Sequence, residues 1–153
     1  MTVKLIPRNY SDVMMDTFYR SVLAWVADKW PGMDRAEMPA LKEIEKFKPN
    51  GVADWGGHFY PNRHDEFGEL ELYPSGDWAL DRAIALHELS HWIRHYTGDR
   101  LGVHDDEFFS TVYRIYVRWG VPLSVARVVE THGYPDSWKD CGDHWCNQSR
   151  NDG

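Results

Sequence analysis

The sequence predicts an α+β fold in which helices, a small sheet and further helices follow one another along the chain. Two patterns carry that expectation. Apolar residues recur at helical spacing after Ser11 and again between Trp78 and Trp119. Between Trp55 and Tyr73 they form short, aromatic-rich runs, and in Glu69-Leu70-Glu71-Leu72-Tyr73 they alternate with acidic residues. With 153 residues the chain fits one compact domain.

The elements follow in order. Ser11 is a natural N-cap, and Val13, Met14, Phe18, Val22, Trp25 and Val26 form the stripe of a first helix that Pro31 and Gly32 end. Asp34 and Glu37 resemble a capping box for a second, shorter helix containing Leu41, Ile44 and Phe47. Pro49-Asn50-Gly51 marks a loop. Trp55–Tyr60 and Phe67–Tyr73 read as a hairpin or two neighbouring strands, the second half-buried. Ser75 or Asp77 caps a helix from Trp78 to Tyr96, stopped by Gly98. Further helices are expected from Asp105 to Trp119 and from Leu123 to Glu130. The domain is expected to span 1–133, with 134–153 a polar tail.

Charge and composition exclude several classes. Lys and Arg number 17 against 24 Asp and Glu, a formal charge of −7, which argues against broad binding to a phosphate backbone. No apolar run approaches the roughly 18 residues of a membrane span. The first ten residues carry Lys4, Pro7 and Arg8 and no signal-peptide core, so a soluble, cytoplasmic protein without a membrane partner is expected.

The segment that carries chemistry is His87-Glu88-Leu89-Ser90-His91, an HExxH motif inside the strongest helical pattern. Histidines four apart sit one above the other on a helix face, where both imidazoles can reach one Zn²⁺. Leu80, Ile84, His87 and His91 follow at spacings of four, three and four, so both histidines continue the buried face. Two unpaired imidazoles there would be a poorly explained cost. Glu88, rotated about 100° from His87, is better placed to hold a water beside the metal than to ligate. A third ligand is needed. His104, at the threshold of the next helix, leads; Glu107 is the runner-up, ahead of Asp105 and Asp106. Acidic residues in a first helical turn also offset the macrodipole without touching metal.

His87, Glu88, His91 and His104, with Phe108 and Phe109 shortly after, resemble SprT-like zinc metalloproteases, the wider group of the Spartan and WLM-type proteases. The resemblance covers about Trp55 to Trp119. It implies a zincin-like fold with the small sheet packed on the HExxH helix. It also implies His87, His91 and His104 as zinc ligands, Glu88 as catalytic base, a protein or peptide substrate, and DNA association, which the acidic charge disfavours. By the same resemblance the strand bearing Glu71 could pair with an extended substrate. Leu86 to Trp92, LHELSHW, is similar to the metallopeptidase domain of ArdC-type antirestriction proteins. The alternative is therefore a non-catalytic, metal-stabilised binding module, antirestriction or regulatory, of phage or mobile-element origin.

Lesser candidates remain. Tyr113, Tyr116, His132 and Tyr134 are reachable donors for an oxyanion, each also suited to a structural role. His95 lies two turns beyond His87, about 12 Å along the axis, and suits the helix C-terminus instead of the same metal. His58 and His64 flank the hairpin turn as solvated residues or cleft walls. Cys141, His144 and Cys146, with His132 upstream, offer groups for a minor second metal site, although Cys-x4-Cys is not a standard knuckle and free thiols are favoured.

Overall fold

The computed structural model describes residues 6–61, 68–98 and 104–132. The described residues form four helices and a three-stranded mixed sheet that packs against one of them. Helix α1 (Asp12–Lys29) starts where Ser11 Oγ accepts the Met14 amide at 3.1 Å, and Gly32, at φ +86°, turns the chain away after it. Its buried face is Met15, Tyr19, Val22, Leu23 and Val26. Val13 and Met14, read from the sequence as part of the stripe, are exposed. The true seam starts one residue later, because Tyr19 must face inward to donate its hydroxyl to the Pro39 carbonyl at 2.6 Å.

The second helix expected from Asp34 onward does not form; strand β1 (Ala40–Glu43) takes its place. Pro39 would sit inside such a helix without an amide to donate. The carbonyls a helix would use are also taken: Tyr19 holds that of Pro39, and Trp92 Nε1 donates to that of Glu37 at 2.9 Å. The three-residue spacing of Leu41, Ile44 and Phe47 was an accident of an extended segment.

Strand β2 (Gly56–Tyr60) runs antiparallel to β3 (Glu69–Tyr73), with Phe59 opposite Leu70 and Gly57 opposite Leu72. β1 pairs parallel with the other edge of β3, giving the order β1-β3-β2. The expected hairpin strands are thus present. The half-buried character expected of β3 is not: Leu70 and Leu72 join the core, while Glu69 and Glu71 are buried as well. Glu71 accepts the Tyr73 hydroxyl at 2.6 Å.

Helix α2 (Trp78–Gly98) is the hub, and α3 (Asp106–Arg118), α4 (Leu123–Thr131) and the sheet all pack against it. Asp77 caps it through the Leu80 amide. Fully buried Asp81 accepts the Tyr10 hydroxyl, the Ser75 hydroxyl and amide, and the Gly76 amide, at 2.6–3.0 Å. The start of α2 is thereby anchored to the chain that precedes α1. Its own Leu86, Leu89, Trp92 and Ile93 are fully buried, so α2 is a core helix. Among the described residues, no helix is long and apolar enough to cross a membrane.

Candidate metal centre

His87 and His91 lie one turn apart on α2, with ring centroids 5.1 Å apart. His104 immediately precedes Asp105, the N-cap of α3, whose side chain accepts the Phe108 amide at 2.9 Å. Packing of α3 on α2 therefore brings His104 to the HExxH turn. One ring nitrogen from each histidine lies within 4.8 Å of the others, a set that could hold a metal ion. His87 Nε2 and His104 Nε2 are 3.3 Å apart. Two imidazoles on a tetrahedral ion at 2.0–2.1 Å would stand about 3.3–3.4 Å apart.

Phe108 holds the three rings in place. It is fully buried, stacks on His91 at 4.4 Å and 23°, and meets His87 and His104 edge-on at 5.1 and 4.7 Å. The acidic competitors do not converge on the site. Asp105 is a cap, Asp106 is exposed, and Glu107 pairs with Arg94 while its side chain stays 71% exposed. None of the three belongs to the converging set.

Electrostatics distinguish the three imidazoles. Burial, with the charges of His87 and His104, pushes His91 down to about 2, so its ring stays neutral. Burial also lowers His104, with His87 adding to the effect. For His87 burial is outweighed: the charge of Glu130 and its hydrogen bond at 2.7 Å to Nδ1 raise it to about 9. Without metal the site thus keeps a proton on His87, which a divalent cation would replace. Among the described residues, His91 Nδ1 is buried without a hydrogen-bond partner. Three imidazoles with no carboxylate among the converging donors suit the zinc, copper, iron and nickel class better than calcium or magnesium.

Glu88 is buried beside this set, with Oε1 3.9 Å from His87 Nε2. Burial raises its carboxyl to about 7, although the His87 charge and the Phe59 amide favour the ionised form. All three histidines and Glu88 line a cleft of about 570 Å³, whose opposite wall is β2. β2 is an edge strand of the sheet, with β1 at the other edge, and every one of its residues lines the cleft. The expectation that Glu71 marks the substrate-pairing strand is corrected accordingly: β3 already has a partner on each edge.

The remaining candidates fall around or away from this cleft. Tyr116 is buried, with its hydroxyl 3.0 Å from Glu130 Oε1, and Tyr113 is also buried. His132 lines the cleft, stacked on Trp55 at 3.5 Å with Nε2 2.9 Å from the Trp55 carbonyl. His58 is exposed at the cleft wall, and His95 packs near Phe59 outside the converging set. His64, Tyr134, Cys141, His144 and Cys146 lie outside the described residues, as does the proposed tail at 134–153.

Three residues went unread as site residues. Glu130 reaches His87 from α4, Phe108 orders the rings, and Gly57 leaves room for Glu88. Glu130 did leave a signal: an acidic residue in the last turn of a helix opposes the macrodipole. No protein-family model matches the chain, and neither does any curated protein or solved structure.

Proposed function

We propose that this chain is a zinc-dependent metalloendopeptidase with a zincin-like arrangement, in keeping with its resemblance to SprT-like proteases. The observation that carries the reading is Glu88: a buried carboxyl near neutrality, beside three convergent histidines, facing the cleft they share. A zinc ion held by His87, His91 and His104 would polarise a scissile carbonyl and acidify a water.

The chain's own groups do the rest. Glu88 takes the proton of the attacking water on a carboxylate oxygen and returns it to the departing amine. The edge strand β2 offers its outer edge to an extended peptide, whose backbone would add to the sheet next to the histidines. A protein or peptide is thus the proposed substrate, and the net charge of −7 makes nucleic acid the weaker partner.

A metal-stabilised binding module of the antirestriction or regulatory kind would need no carboxyl at this position, so Glu88 favours the enzyme. The test is Glu88→Gln. Zinc content is expected to be retained while hydrolysis of an unstructured protein such as casein falls by about 10²–10⁴-fold. Equal turnover in the variant would remove Glu88 from the mechanism.

A further inference from the structure

We infer that Glu130 is a positioning residue of the metal centre: its buried carboxylate fixes the orientation and tautomer of His87, so that Nε2 is presented to the metal. The inference rests on the metal-site reading and adds to it a residue on a different helix, 43 positions along the chain.

Three observations support it. Glu130 Oε1 lies 2.7 Å from His87 Nδ1, and the Glu130 side chain is 1% exposed. With the ring neutral, a carboxylate at that distance keeps the proton on Nδ1 and leaves the lone pair on Nε2. That is the nitrogen 3.3 Å from His104 Nε2. Tyr116 secures the same carboxylate oxygen from within the core: its hydroxyl is 3.0 Å from Oε1 and 3.2 Å from the Ala83 carbonyl.

The position is otherwise a poor one for a carboxylate. Glu130 stands in the last turn of α4, where the macrodipole disfavours an anion. Its Oε2 is buried without a hydrogen-bond partner among the described residues. A buried anion is costly unless paired. A glutamine would fill the same volume and could still accept the Tyr116 hydroxyl, so neither packing nor helix stability accounts for the charge. Its effect on His87 does: a carboxylate on the far nitrogen of a metal-binding imidazole orients the ring and strengthens it as a ligand.

The test is zinc affinity, measured by competition with a chromophoric chelator at neutral pH, for wild type, Glu130→Gln and Glu130→Asp. Thermal unfolding of each metal-free protein is followed in parallel. Glu130→Gln is expected to weaken zinc binding about 10–100-fold in the folded variant, beyond any loss of metal-free stability from breaking the buried Glu130–His87 pair. Glu130→Asp, which withdraws the charge by one methylene, is expected to weaken binding as well. Wild-type affinity in either folded variant overturns the inference. Lower metal-free stability with unchanged affinity would make Glu130 structural and overturns it too. A wild-type chain that binds no zinc overturns the metal-site reading itself, and this inference with it.

Discussion

Gly57 on β2 and Glu88 on α2 pack so closely that a Cβ added to Gly57 would stand 2.8 Å from Glu88 Cγ. The same carbon would be 3.0 Å from Ile84 Cγ2 and 3.1 Å from the Glu71 carbonyl oxygen, which belongs to the central strand. Two residues on, the Phe59 amide donates to the Glu88 carboxylate. The strand facing the cleft therefore sets both the position and the hydrogen bonding of the proposed general base.

Gly57→Ala is accordingly expected to cost about 1–3 kcal/mol by overpacking, read from urea unfolding. Because Glu88 is the movable neighbour, hydrolysis should fall further than zinc content. An alanine variant with wild-type turnover would show that the carboxyl tolerates displacement.

Substitutions around the start of α3 separate ligand from neighbours. His104→Ala should lose stoichiometric zinc. Asp105→Ala should keep it and cost about 0.5–2 kcal/mol through the lost cap. Glu107→Gln should keep it at a cost of about 0–1 kcal/mol, since its partner Arg94 meets an exposed carboxylate. Zinc retained in His104→Ala and lost in Glu107→Gln would reverse the assignment.

Phe108→Ala removes a fully buried ring that touches all three imidazoles. A loss of about 3–5 kcal/mol is expected, together with weaker zinc binding, because each imidazole regains freedom. Chemical denaturation and the chelator competition read the two effects separately. An unchanged zinc affinity in the folded variant would leave Phe108 as core packing alone.

In the metal-free protein Glu88 should contribute stability that falls as pH rises, opposed below about 6.5 by His91 and His104, whose lowered values make their contributions grow with pH. Burial holds Glu88 at about 7 against an ordinary 4.5, so the folded state binds its proton more tightly than the unfolded chain. That stability is complete below about 4.5 and is lost as pH climbs through about 7, with a slope approaching about 1.4 kcal/mol per pH unit. His87, raised to about 9, extends the decline to higher pH. Glu88→Gln should remove the Glu88 contribution, so wild-type stability should fall relative to the variant between about pH 4.5 and 7, and stability curves of the metal-free proteins across pH 4–9 test this. Curves that run in parallel between about pH 4.5 and 7 would contradict it.

Much of this architecture was legible in the chain. HExxH needs only the helical repeat to bring His87 and His91 together, and Gly98 followed by the Asp105 cap implied a turn that returns His104. What escaped depends on contacts remote in sequence. Leu41, Ile44 and Phe47 imitate a helical stripe, while Tyr19 and Trp92 claim the carbonyls of the segment before them. Glu69 and Glu71 alternate with leucines as a solvent-facing row would, yet both are buried in the fold. Glu130 acquires its meaning only when α4 lays it against His87.

The most direct measurement is the zinc content per chain of protein purified without added metal, for wild type and for Glu88→Gln. About one equivalent in each, with casein cleaved only by the wild type, is the expected result. No bound metal in the wild type, persisting after zinc is offered at neutral pH, would leave His87, His91 and His104 as core residues and remove the enzyme reading with them.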